Sequence, residues 1–476
     1  METYKIYYGG KFKETKNQIE VTNPFSSEVI AKTYIAAEDD FDMALEAALE
    51  AEKEMARLPV YVRSNALRFI ADKIRENRSH FAKIISQEAA KPWVYAFNEV
   101  DRAIQTFTVA SEEAKRLPSE YISLDWTPAG RDKEGLVKYF PIGLVAGISP
   151  FNFPLNLAVH KIAPAIAAGN PIILKPSRHT PLSTLELAKI IDQSELPKGA
   201  VSILPTDREV GNRFVTDSNF KLLSFTGSPA VGWKMKQMAG KKRVLLELGG
   251  NAAAIISPSA DLDLALKKLM VGAFAYSGQV CIHTQRVFIH RSIFDEFVER
   301  FVNEAQKLAS HYGDPIKKET LISVMIDTDN AVRVEQWVNE ALQQGARVLT
   351  GGKRRNNYYE PTILTGTHRG MKVWDKEIFG PVILSEPYDT IEQAVDMVND
   401  SDYGLQAAIF TNDYDQISYA FNNIEVGGLI VNDITTFRVD HMPYGGVKDS
   451  GFGREGLKYS IREMMEPRLM VLPVKR

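Results

Sequence analysis

Short β-rich runs alternate with helical stretches through most of this 476-residue chain, and that alternation is the pattern of a parallel α/β sheet. It is most regular after Gly143. Residues 144–148 read as a buried strand, 154–168 as a helix, 171–174 as a strand and 181–193 as a helix. Three more strands follow at 201–204, 221–225 and 243–248. Such a doubly wound sheet binds ligands beyond the C-terminal ends of its strands. Ahead of it the periodicity predicts helices at 39–58, 62–90 and 92–117. Between the two regions, 121–126 and 136–140 flank a polar segment holding Gly130, a hairpin signal. A second α/β unit opens at Asn251, with helices at 263–276, 293–310 and 328–344 and strands that include 286–289, 347–349 and 428–432. The tail, 463–474, ends extended. The expected fold class is therefore α/β, with three parts. A doubly wound parallel-sheet domain takes 1–117 and 141–248, a second α/β domain takes 249–455, and a small β element takes 118–140 and 456–476. A projecting hairpin and a tail strand suit sheet addition between copies, so a homodimer or homotetramer is expected.

Composition excludes several classes. A net charge of −3 gives no electrostatic footprint for nucleic acid. No run approaches the roughly 18 apolar residues of a membrane span. The start, Met1-Glu2-Thr3-Tyr4-Lys5, lacks the regions of a signal peptide. Cys281 is the only cysteine, so no internal disulfide or paired-thiolate metal site can form, and a cytoplasmic location is expected.

That lone thiol sits in Ser277-Gly278-Gln279-Val280-Cys281. Upstream, Leu246-Glu247-Leu248-Gly249-Gly250 puts a carboxylate at the end of an apolar run. A thiol nucleophile and a carboxylate base are a working pair for covalent catalysis on a carbonyl. Two further segments suggest a nucleotide. Phe225-Thr226-Gly227-Ser228-Pro229 follows a strand and opens a helix, with Ser228 as N-cap and Pro229 at the first helical position. A helix N-terminus so built is an anion site, although the run is neither G-x-G-x-x-G nor a Walker loop. Lys175-Pro176-Ser177-Arg178-His179 ends a strand with donors and positive charge where a ribose would lie.

Together with Ser149-Pro150-Phe151-Asn152-Phe153-Pro154, Glu377-Ile378-Phe379-Gly380-Pro381 and Met442-Pro443-Tyr444-Gly445-Gly446-Val447-Lys448, these motifs resemble the aldehyde dehydrogenase superfamily in order and spacing. The match is close to the branch holding lactaldehyde, succinate-semialdehyde and non-phosphorylating glyceraldehyde-3-phosphate dehydrogenases. The resemblance implies that Cys281 is the nucleophile, Glu247 the general base and Asn152 an oxyanion donor beside the Cys281 N–H. It implies oxidation of an aldehyde through a thiohemiacetal and a thioester, with hydride passing to a nicotinamide. It places Lys175 on the adenine ribose, Ser228 on the pyrophosphate, Glu377 on the nicotinamide ribose and Phe379 beside the nicotinamide. Ser149, Phe151, Ser177, Arg178 and Gly227 complete the expected cofactor contacts. NAD-preferring members carry Glu three residues after the lysine. Arg178 stands there instead, which favours NADP over NAD.

Expected substrate contacts are Arg102, Phe153, Val280, Ile282, Arg438 and His441. Two arginines suit a carboxylate, sulfonate or phosphate on the aldehyde. The phosphate-using members have Arg immediately before the nucleophile, and this chain has Val280. Lactaldehyde, glyceraldehyde 3-phosphate, sulfolactaldehyde and succinate semialdehyde therefore all remain candidates. The alternatives are a thiol esterase or hydrolase pairing Cys281 with His283, and a non-catalytic structural homologue. No His-x-x-x-His or thiolate set suggests a metal.

Overall fold

In the computed structural model, which describes residues 1–474, the alternation resolves into two large sheets. The first has eight strands, ordered Gly451–Phe452, Arg243–Glu247, Leu222–Thr226, Val145–Ile148, Ile172–Lys175, Val201–Ile203, Ile6–Tyr8 and Lys11–Lys13. The run from Arg243–Glu247 to Val201–Ile203 is parallel, and the outer strands are antiparallel. Its central strands are buried along nearly their whole length, as parallel strands covered by helices must be. Chain order reverses between Val145–Ile148 and Leu222–Thr226, which opens a crevice beyond their C-terminal ends.

The second sheet has seven strands, ordered Arg347–Thr350, Thr362–Thr365, Val382–Tyr388, Thr284–His290, Ala252–Ile256, Gln406–Phe410 and Gly428–Val431. Only Arg347–Thr350 pairs antiparallel. Four of its helices start where a side chain accepts a backbone N–H: Asp261, Asp327, Thr390 and Asp413. No helix among the described residues is long and apolar enough to cross a membrane.

Several expected boundaries move. The helix expected over 62–90 is two helices, Val60–Glu76 and Arg78–Ala89. Asn77 separates them, with φ −104° and ψ 19°, and its side-chain amide donates to the Lys73 carbonyl at 2.9 Å, closing the first helix. The helix expected over 263–276 stops at Phe274, because Tyr276 and Ser277 turn left-handed at φ 51° and 53°. Gly451–Phe452, expected within the second unit, pairs with Arg243–Glu247 as an edge of the first sheet. Leu457–Glu463, expected in the small β element, is a helix whose Leu457 and Ile461 belong to the first hydrophobic core. What remains of that element is a three-stranded sheet. Met465–Pro473 pairs antiparallel with Lys133–Pro141 of its own chain, which pairs with Ser119–Ser123. Residues 475–476 of that segment lie outside the described residues.

Candidate active site

A cavity of about 950 Å³ opens at the crevice of the first sheet and reaches the second unit. Its walls include Phe151, Asn152, Gly227, Ser228, Glu247, Cys281, Glu377 and Phe379. Each arrives on a strand end or a turn. Asn152 follows Val145–Ile148, Ser228 follows Leu222–Thr226, and Glu247 is the last residue of its strand. The Gly227 N–H donates to the Glu247 carbonyl at 3.1 Å, tying the helix-opening turn to the strand beside it.

Cys281 is half-buried in the turn after the left-handed kink, fixed by a His283 N–H to Val280 carbonyl bond of 2.9 Å. Phe153, Val280, Ile282, Leu405 and Tyr444 pack around it as a small apolar cluster. Its sulfur lies 3.3 Å from the Tyr444 hydroxyl. Burial pushes the thiol up to about 11, with Tyr444 and Arg438 pulling down and Glu377 and Glu247 pushing up. His283 is bonded to the backbone of Ala273, and burial pulls it down to about 4. The hydrogen-bond partner of the sulfur is Tyr444, so the cysteine–histidine pair of the esterase alternative is not formed.

Asn152 is buried, and its amide donates to the Gln279 carbonyl at 2.9 Å, two residues before Cys281. A primary amide has two N–H groups, so one is left for a ligand. Fully buried Lys91 supports this loop from behind, bonding the Asn152 carbonyl and Glu99 and lying 3.7 Å from the centre of the Phe153 ring. Glu247 is buried with Oε2 unpartnered. Burial raises its pKa well above the carboxylate range, and the like charge of Glu455 raises it further.

The cofactor wall fits a dinucleotide. Ser228 caps the helix Pro229–Met238 without spending its hydroxyl on a cap bond, so the helix N-terminus presents an unspent hydroxyl together with its free N–H groups. Glu377 accepts the Gly250 N–H at 3.1 Å, and burial lifts it to about 7. A Cβ on Gly249 would meet the Glu377 carboxylate at 2.1 Å, so a side chain there would push Glu377 out of this position. Phe151 meets Phe379 edge-on at 5.9 Å. Ser149 is buried with its hydroxyl unpartnered. Lys175 ends its strand largely buried, with its pKa lowered by desolvation and by Arg178. Arg178 is exposed, and the Ser177 hydroxyl is occupied by the His179 N–H at 3.2 Å.

The expected substrate residues divide. Phe153, Val280 and Ile282 surround the sulfur. Arg102 and Arg438 lie in one buried charge network. Arg102 bonds Asp440 at 2.8 Å, His160 bridges Asp440 at 2.9 Å and Glu455 at 3.1 Å, and Arg438 bonds Glu455 at 2.9 Å. Neither guanidinium is a free clamp, since each is tied to a carboxylate, yet both Nε–H groups are buried without a partner. His441 is exposed, with no polar partner among the described residues.

Sequence reasoning missed Tyr444, Lys91, His160, Glu455, Lys161, which pairs with Glu455 at 3.5 Å, and Arg333 and Trp337, which line the cavity. Tyr444 stood in a quoted motif without a role. The others meet the site only through long-range contacts that no local spacing announces.

The family model described as the aldehyde dehydrogenase family matches residues 12–470. The chain belongs to the aldehyde dehydrogenase family. A 3-sulfolactaldehyde dehydrogenase of Priestia aryabhattai is 41% identical over 473 residues, 99% of this chain and 98% of that protein. Aldehyde dehydrogenase 21 from Physcomitrella patens, solved with the reaction product succinate, superposes with a TM-score of 0.97 at 42% identity, covering 99% of this chain and 98% of that one. Glyceraldehyde-3-phosphate dehydrogenase from Methanocaldococcus jannaschii, solved with NADP, gives 0.92 at 39% identity, covering 97% and 100%. This aldehyde dehydrogenase uses a nicotinamide cofactor, NAD or NADP.

Proposed function

We propose that this aldehyde dehydrogenase oxidises a small hydroxylated or anionic aldehyde of the sulfolactaldehyde, lactaldehyde, glyceraldehyde 3-phosphate or succinate-semialdehyde type, with NADP favoured over NAD. The observation that carries the mechanism is the convergence of Cys281, Asn152 and Glu247 on one cavity with Ser228 and Glu377. The Cys281 thiolate attacks the aldehyde carbon. The oxyanion rests on the free N–H of Asn152 and the Cys281 N–H. When bound, the nicotinamide supplies the hydride acceptor. Cys281 carries the acyl group as a thioester, and Glu247 takes a proton from the water that hydrolyses it. A buried carboxyl with a raised pKa suits that task, because its carboxylate is a stronger base than an ordinary one.

An anionic substrate is supported by Arg102 and Arg438, two guanidinium groups of one network whose Nε–H groups have no partner among the described residues. It is also supported by the similar proteins, whose names pair them with a sulfonated aldehyde, with succinate and with a phosphorylated aldehyde. Val280 keeps the position before the nucleophile apolar, so the arginines carry the recognition. Arg178, exposed at the expected adenosine end, supports NADP through its fit to a 2′-phosphate. In this reading 1–117 with 141–248 bind the dinucleotide, 249–455 carry the nucleophile, and the small sheet joins subunits into a dimer or tetramer. The outer strand of that sheet leaves Leu469, Met470, Val471 and Leu472 exposed, an apolar row that suits a second copy. We place the enzyme in the cytoplasm, where a single reactive thiol stays reduced.

The test is a panel of anionic and neutral aldehydes with Arg102→Ala. KM for the best anionic aldehyde rises about tenfold or more while a neutral aldehyde is unaffected. An unchanged KM for the anion removes the arginines from substrate recognition.

A further inference from the structure

The mechanism above leaves one polar group at the sulfur without a task. Tyr444 is buried, and the only polar partner of its hydroxyl among the described residues is Cys281, at 3.3 Å. The ring is held rather than loosely packed. Its backbone N–H donates to the Glu455 carbonyl at 3.0 Å, and its carbonyl accepts the Glu455 N–H at 2.6 Å. The Arg438 guanidinium lies 3.6 Å from the ring centre, and Arg438 is itself fixed by Glu455 and His160. A cation on the ring face draws electron density from the ring and strengthens the phenol as a donor.

We propose that the Tyr444 hydroxyl is a catalytic group of this enzyme, donating a hydrogen bond to the Cys281 sulfur and holding the thiolate that attacks the aldehyde. A thiolate can only accept, so the phenol is the donor in the reactive state. The thiol proton leaves to water, a sulfur lone pair forms the C–S bond, and the carbonyl π pair moves to oxygen. The phenol keeps its proton throughout, since burial and the neighbouring thiol raise its pKa well above the usual value. The charged and titratable groups facing the sulfur are Tyr444, Arg438, Glu377 and Glu247. The two carboxylates disfavour a thiolate, which leaves Tyr444 and Arg438 to favour it. Phenylalanine at this position would fill the same volume and keep the cation contact while losing that donor.

The inference rests on Cys281 being the nucleophile, and the chain allows the two to be tested apart. With a single cysteine, iodoacetamide labels only Cys281. Rates of labelling and of activity loss are measured against pH for the native enzyme and for Tyr444→Phe. The apparent thiol pKa rises by about one unit in Tyr444→Phe, and labelling at neutral pH slows about tenfold. Superimposed profiles overturn the proposal. Site-specific 3-fluorotyrosine at position 444, a more acidic phenol and a stronger donor, shifts the thiol pKa downward. No shift in that protein also overturns it, even should Tyr444→Phe fail to fold. A labelled enzyme that keeps its activity overturns the nucleophile assignment instead.

Discussion

The two sides of Cys281 are built in opposite ways. Toward the cavity the wall is largely backbone: a helix N-terminus at Ser228, the Gly250 N–H on Glu377, and Gly249, where a Cβ would crowd the Glu377 carboxylate. Away from it the structure is dominated by side-chain charge. Arg102, Asp440, His160, Glu455, Arg438 and Lys161 form one buried network whose members come from three separate stretches of chain. The first side gathers backbone N–H groups around one titratable carboxyl, Glu377, which burial lifts to about 7. The second sets proton affinities, and Glu247 lies where the two meet. Burial and Glu455 raise its pKa, while Arg438, Lys161 and Arg454 oppose them.

Breaking the charged side has the larger effect. Glu455 is buried, and Lys161, His160 and Arg438 outweigh the cost of its burial and hold it well below the carboxylate range. Glu455→Gln leaves Lys161 and Arg438 without their carboxylate, so it destabilises the enzyme by about 3–5 kcal/mol in denaturant titration. The variant also removes a like charge from Glu247 and leaves the cations facing it. The pKa of Glu247 then falls, and the acid limb of thioester hydrolysis moves to lower pH. A limb that stays in place would separate the network from the base.

Changing the cofactor side has a smaller, more specific effect. Arg178 is exposed and has no carboxylate partner among the described residues, so Arg178→Ser leaves stability near native. It lowers the ratio of kcat/KM for NADP over NAD about tenfold. An unchanged ratio would move 2′-phosphate recognition elsewhere in the cavity.

The same contrast explains what the sequence made legible. Strand ends, the Ser228-Pro229 helix start and the glycines around Glu247 announce themselves locally, because turn and cap chemistry spans only a few residues. Cys281 stands out as the lone thiol of the chain, whereas Asn152, Glu377 and Phe379 are picked out only by the resemblance of their motifs to a known family. The break at Asn77 escaped because helical periodicity continues on both sides of it. The strand Gly451–Phe452 escaped because two residues carry no period. The charge network escaped for a different reason. His160 and Glu455 are 295 residues apart in sequence, and only the packing of the helix Asn156–Ala168 against the C-terminal segment joins them. Tyr444 was visible as a letter in a motif, but its role depends on where its hydroxyl ends.

In the proposed mechanism Cys281 holds the acyl group and Glu247 releases it. Intact-mass measurement of Glu247→Gln mixed with aldehyde and NADP tests both at once. That mechanism predicts one acyl group per chain on Cys281, formed with a near-native burst of reduced cofactor. It further predicts that steady-state turnover falls about 10²-fold or more, and that the native rise in hydrolysis rate, as pH increases through the raised pKa of Glu247, disappears. An unmodified Cys281, or a burst lost in step with turnover, would contradict it.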